Sequence, residues 1–266
     1  MEKISQKQPF KVYIVIPMFP EGDPSTLSVQ EILYWQYRTI ETMYRRVAQA
    51  IKKFKPSTKE LGMHPTDYLS FYCLGKRESP EECPSHELDD PPSGSPAEIV
   101  RSKLRHPIYL HSKMSIFDDE YVLIGSANIN QRSLDGARDS EIAVGGYQPD
   151  ISETTNNWLA NKTKKGAVQT YRMALWANHF GKVSTEFMDP SSHECLEKVR
   201  DLTSNYWMKY TADNPVHCDT HILPYPIQVD ELGNVSSLNE PWHCFPDTKA
   251  SVLGQKSGLL PGKLTT

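Results

Sequence analysis

Ile108-Tyr109-Leu110-His111-Ser112-Lys113-Met114-Ser115-Ile116-Phe117-Asp118-Asp119-Glu120-Tyr121-Val122-Leu123-Ile124-Gly125 reads as a strand, a tight turn and a second strand. Two apolar, β-branched runs flank the acidic turn Asp118-Asp119-Glu120, and a glycine closes the unit. Alternate side chains of a strand share a face, so His111 and Lys113 are expected to project side by side. An imidazole can attack phosphorus or pass a proton near neutral pH. An ammonium beside it neutralises charge that develops on non-bridging oxygens. That pairing suits the cleavage of a phosphodiester.

The residues around this pair extend the pattern. His111, Lys113 and Asp118 form His-x-Lys-x-x-x-x-Asp, and Gly125-Ser126-Ala127-Asn128 follows. Ser126 and Asn128 fall at a turn where side-chain and backbone donors complete a phosphate cradle. Asp118 is placed to hydrogen-bond its own loop. Ser140 to Val144 reads as the next strand, ending at Gly145-Gly146, and Glu141 on it is expected to orient His111 through the second ring nitrogen.

Outward from this unit, strands alternate with helices. Val12-Tyr13-Ile14-Val15-Ile16 is a buried strand stopped by Pro17, and Tyr68 to Leu74 is another, followed by Gly75. Between them, Ser28-Val29-Gln30-Glu31 has the form of a capping box, opening a helix that runs to Phe54. Ala167 to His179 and Ser192 to Tyr210 read as amphipathic helices, and Tyr225 to Val229 as a short strand. Residues 78–97 read as a mobile surface loop rich in Pro, Ser, Glu and Asp. The fold class is α/β, with a mixed or parallel sheet flanked by helices. The expected division is a tail over 1–10, a catalytic half-domain over 11–150 and a helical, loop-rich region over 151–266.

Composition excludes several classes. Apolar residues make up 38% and charged residues 23%, the balance of a folded domain. A net charge of -4 with dispersed Lys and Arg argues against a nucleic-acid partner. No apolar stretch approaches a bilayer span and no signal peptide is read, so a cytoplasmic setting with peripheral membrane contact is expected. The five cysteines, Cys73, Cys83, Cys195, Cys218 and Cys244, have no framework spacing and are expected as reduced thiols.

The stretch HSKMSIFDDEYVLIGSANINQRSLDGARDSEIAVGGYQ, His111 to Gln148, resembles the second catalytic motif of plant-type phospholipase D. YIVIPMFPEGDP, YWQYRTIETMYRRVAQAI, YLSFYCLGKRE, YRMALWANHFG and FPDTKASVLGQKSGLLPGKLTT resemble that family's C-terminal region. The resemblance implies one half of a two-lobed catalytic fold. It implies hydrolysis of phosphatidylcholine and related lipids to phosphatidic acid and a free head-group alcohol. His111 then matches the second-motif histidine, acting as acid and base, Lys113 the phosphate-binding lysine, and Asp118 the motif aspartate. Ser126 and Asn128 match phosphate-contacting positions, and Glu141 the glutamate beside the histidine.

Such enzymes carry two motifs, and this sequence holds one: His64 precedes Pro65, His86 precedes Glu87, and neither has the lysine spacing. The sequence resembles roughly the last third of such an enzyme, without its C2 domain. The missing half-site would come from a first-motif partner or from a second copy of the chain; a catalytically silent piece is the other alternative. No cofactor is evident, and calcium is implied by the resemblance alone, chiefly through the C2 domain.

Other clusters have plainer readings. His217-Cys218-Asp219-Thr220-His221 with His243-Cys244 matches no strong zinc spacing and reads as loop. Asp118-Asp119-Glu120 is too tight a turn to cage calcium. Trp35, Trp158, Trp176, Trp207 and Trp242 are expected in cores. Arg132 and Arg138 are expected to pair with Asp135 and Asp139.

Overall fold

The computed structural model describes residues 1–55, 62–81, 91–148 and 166–258. The chain folds as two units, Met1–Leu110 with Pro190–Thr265, and His111–Asp189. These divisions fall at different places from the expected boundaries at residues 10 and 150. The physical reason is that strands from both ends of the chain complete one sheet. Part of the expected surface loop, and with it Cys83, lies outside the described residues, as does Trp158.

The first unit is built around β2 (Leu69–Arg77), whose residues are buried along almost its whole length. A strand covered on both faces needs a continuous apolar run, and Leu69, Phe71, Tyr72, Cys73 and Leu74 supply one. It pairs in parallel with β1 (Val12–Val15), and antiparallel with β3 (Arg105–Ile108) and β7 (Ile222–Pro224). The sheet is therefore mixed. The strand also runs through Gly75, where the sequence suggests a stop. A Cβ there would meet Leu223 and Tyr210 side-chain carbons at 2.9 Å, so glycine is the residue that lets the sheet continue under these side chains.

Two long helices cover this sheet, α2 (Leu27–Phe54) and α6 (His193–Thr211). Leu33, Ile40 and Tyr44 of α2 share a core with Phe71, Cys73, Tyr206, Tyr210, Leu223, Phe245 and Val252. The start of α2 departs from expectation. Its N-cap is Thr26, and the Glu31 carboxylate is buried and accepts from the Ser257 backbone N–H at 3.3 Å. The turn leading into the helix is closed instead by Asp23, which accepts from the Ser25 N–H at 2.8 Å. At the far end, α6 closes as a helix should, with cations on its orphan carbonyls. The buried Arg77 and Arg105 guanidinium groups both donate to the Tyr210 carbonyl. Arg105 also grips Asp247 through two bonds of 2.8 and 2.7 Å.

Several elements are not foreseen by the sequence, among them α1 (Glu2–Ser5), α3 (Pro96–Lys103), β3 and β7. Helix α1 falls in the expected tail, and it is held because Ile4 is buried with Ala50 and Tyr68. A two-stranded ribbon completes the unit, β8 (Ile227–Val229) with β9 (Val235–Ser237), of which β9 is likewise unforeseen. Trp207 and Trp242 meet edge to face at 5.8 Å, whereas Trp35 is 43% exposed with Lys256 over its ring. Among the described residues, no helix is long and apolar enough to cross a membrane.

The second unit holds an antiparallel sheet of β4 (Lys113–Phe117), β5 (Tyr121–Gly125) and β6 (Ala143–Tyr147), in that order. Helices α4 (Gln131–Leu134) and α5 (Gly166–Phe180) belong to it. The strand β6 again passes through a glycine pair expected at its end. Gly145 lies beneath the Tyr121 ring, where an added Cβ would overlap the hydroxyl, so the glycine is room for a neighbour.

One contact in the first unit gives a direct stability test. Gly254 has a φ of 65°, and a Cβ on it would overlap the Gln30 carbonyl oxygen of α2. Gly254→Ala is expected to cost about 2–4 kcal/mol in urea unfolding, from clash and left-handed strain together. Gly258→Ala, with nothing within 4 Å, is expected to change stability by under about 0.5 kcal/mol.

Candidate active site

The β4–β5 hairpin brings the motif together. Lys113 pairs with Gly125, and Phe117 with Tyr121. The His-x-Lys end and the Gly-Ser-x-Asn end therefore meet at the open mouth of one hairpin, distant in sequence but neighbours in space. The turn itself is made by two left-handed residues, Asp118 at φ 53° and Asp119 at φ 59°, with the Glu120 N–H donating to the Phe117 carbonyl at 3.0 Å. Aspartate tolerates this region through its short polar side chain, which is why two of them in succession turn the chain here.

The strand begins later than simple alternation from His111 assumes. Regular pairing starts at Lys113, and His111 stands just before it in exposed, non-strand backbone. The two-residue alternation thus does not by itself align the side chains. A different contact joins them: the Lys113 Nζ donates to the His111 carbonyl oxygen at 2.6 Å. The ammonium is held against the histidine's own backbone.

Ser126 is tied to the segment that leads into the third strand. Its N–H donates to the Ile142 carbonyl at 2.9 Å, and its Oγ accepts from the Ile142 N–H at 3.0 Å. The same hydroxyl donates to the Glu141 carboxylate. Glu141, expected beside His111, lies in the segment that leads into β6 and accepts from the Ser126 hydroxyl. The Ser126 hydroxyl first, and the Ser133 hydroxyl after it, hold the Glu141 carboxyl below its usual range, with Lys113 adding a smaller pull at longer range. Asn128 is exposed. Further along the chain, Asn130 caps α4 by accepting from the Ser133 N–H at 2.9 Å.

The surrounding charges are mostly committed. Arg132 Nε pairs with Asp139 at 2.7 Å, the structural role expected of it, and Arg138 is exposed. Asp118 is exposed in the turn, away from the open mouth of the hairpin. The buried acid is its neighbour Asp119, a residue the motif does not single out. Nothing in the pattern separates the two aspartates, since adjacent turn residues of the same type differ only in which way the tertiary structure takes them. His217 pairs with Asp219 at 3.0 Å in the other unit. Among the described residues, no group of three or more His, Cys, Asp or Glu side chains is placed to hold a metal ion.

An α/β chain with His-x-Lys and Gly-Ser-x-Asn at one hairpin mouth defines a class, and comparison with known proteins gives it a name. Residues 1–254 match the phospholipase D family, and the chain belongs to it. It is 45% identical over 267 aligned positions to phospholipase D alpha 2 of Brassica oleracea var. capitata, covering all of this chain and 31% of that protein. Over its whole length it is 44% identical to phospholipase D alpha 1 and phospholipase D delta of Arabidopsis thaliana, covering 32% and 29% of them. The chain thus spans about a third of the length of the curated relatives it matches.

The Ser126–Glu141 contact has a measurable signature. A carboxyl with a lowered folded-state value contributes stability above its unfolded value, which is lost as pH falls through the folded one. The Glu141 carboxyl carbon is expected to titrate by NMR below 4.5, and to move back toward that value in Ser126→Ala. No movement on removing the hydroxyl would show that the two groups are not coupled.

Proposed function

We propose that this chain carries the second-motif half of a phospholipase D active site, acting on phosphatidylcholine and related glycerophospholipids. The observation that supports this reading is the Lys113–Gly125 register, which lays the strand that follows His111 beside the strand that runs into Ser126 and Asn128. In the reaction, a histidine of a complementary first motif attacks phosphorus, and the bond to the head-group oxygen breaks. His111, as imidazolium, gives its proton to that leaving oxygen. It then takes a proton from the water that releases phosphatidic acid. Lys113 balances charge on the non-bridging oxygens, with Ser126 and Asn128 as further donors. Glu141 acts on this site through Ser126, and Asp118 shapes the turn.

The substrate would be met at a membrane surface from the cytoplasmic side. Any calcium requirement would belong mainly to a C2 domain of the kind the family resemblance implies. No nucleic acid is part of this reading. Two other readings, a catalytically silent chain that acts by association and an active pair of copies that builds one site, are both favoured by one observation. Among the described residues β6 is an edge strand, and it and its approach expose Ile142 at 75%, Val144 at 70% and Tyr147 at 66%.

Choline release from phosphatidylcholine vesicles, measured with mass in solution, distinguishes them. The first reading predicts activity on adding a separately expressed first-motif half, lost by at least about a thousand-fold in His111→Ala. Activity of a dimer of this chain alone, lost in the same variant, would support self-pairing. Absence of release under both conditions would leave the silent reading.

A further inference from the structure

The two aspartates of the β4–β5 turn part company. Asp118 faces solvent, while Asp119 is only 4% exposed. Its carboxylate accepts from Arg172 Nε at 2.6 Å and from the second guanidinium arm at 2.8 Å, a bidentate pair buried on both sides. Arg172 belongs to α5 and lies 4.9 Å over the Trp176 ring. Trp176 in turn meets Phe180 and Phe187 edge to face, at 5.8 and 5.3 Å. The turn of the hairpin is thereby fastened to an aromatic cluster formed by Trp176 and Phe180 of α5 with Phe187 beyond its end.

A buried ion pair is a poor source of net stability, because desolvation offsets much of the attraction. What it does well is fix geometry, since the planar fork accepts a carboxylate in one orientation. Geometry is what this hairpin needs. Its open mouth carries Lys113, about four strand steps from Phe117, a lever of about 14 Å. A tilt of about 4° at the turn would move the mouth by about 1 Å, and a displacement of that size can cost about a hundred-fold in rate. At the mouth, the hydrogen bonds described above run to the His111 and Ile142 backbone and to the Glu141 carboxylate, and at the turn the ion pair ties the hairpin to α5.

We infer that Asp119 and Arg172 are positioning residues for the phosphate end of the hairpin. They reach no substrate themselves; they set the angle at which β4 and β5 present Lys113 and Ser126. This rests on the reading of that mouth as a phosphate site, and the test separates the two. Asp119→Asn removes the charge while keeping a residue that tolerates the left-handed turn. Arg172→Lys keeps the charge and loses the fork.

Inorganic phosphate binding to the full chain is measured by calorimetry, with circular dichroism and amide exchange of the hairpin alongside. Both variants are expected to remain folded, to exchange faster across Lys113–Phe117 and Tyr121–Gly125, and to bind phosphate about ten-fold more weakly or worse, Asp119→Asn being the stronger. Unchanged phosphate affinity in a folded variant, whatever its melting temperature, would overturn the positioning role and leave the site reading intact. If wild-type protein binds no phosphate, or binds it equally well as His111→Ala and Lys113→Ala, the site reading fails and the inference falls with it. Should Asp119→Asn not fold, Arg172→Lys decides on the same readouts.

Discussion

The register of one hairpin governs the candidate site. Pairing Lys113 with Gly125 puts two segments that are distant in sequence at a common mouth, and a slip of one residue would turn every side chain of one strand to the opposite face. At the mouth Ser126 is tied to Ile142 and Glu141. The register is held at the other end too, where Asp118 and Asp119 adopt the left-handed backbone and Asp119 is buried against Arg172. It is then propagated sideways, since the β5–β6 pairing places Gly125 beside Ala143 and Ile124 beside Val144.

The other unit is held by different chemistry. Its central strand is apolar almost throughout, and its two long helices close over it with aromatic and aliphatic side chains. Charged groups are admitted where a helix end needs them. Arg77 and Arg105 answer the carbonyls at the end of α6, and Asp247 balances Arg105. Glycines mark the places where backbones approach: Gly75 under Tyr210, Gly254 against α2.

Much of this is legible in the residues. The long helix to Phe54, the helices over Gly166–Phe180 and His193–Thr211, the strand at Val12 and the hairpin all show, because their patterns are long or strongly punctuated. The departures have a common origin. Gly75 and the Gly145-Gly146 pair look like stops, yet they are strand interiors, Gly75 and Gly145 kept small by neighbouring rings. Ser28 and Glu31 look like a local cap, yet Glu31 serves a backbone N–H from the far end of the chain. The meeting of Glu141 with Ser126 is not foreseen either, and its carboxylate accepts from that hydroxyl across the hairpin. In each case a contact between segments distant in sequence overrides a sound local rule. The motif's residue types are legible from spacing; the burial of Asp119 is not, since its partner lies 53 residues away.

Soaking crystals with tungstate, a dense tetrahedral oxyanion, tests most directly whether one phosphate is held at the hairpin mouth. Anomalous density is expected at the mouth, within hydrogen-bonding reach of Lys113 Nζ and of Ser126 or Asn128, and it is expected to disappear in Lys113→Ala. Tungstate bound elsewhere on a folded chain, with the mouth empty at full occupancy of the other site, would contradict a phosphate site there.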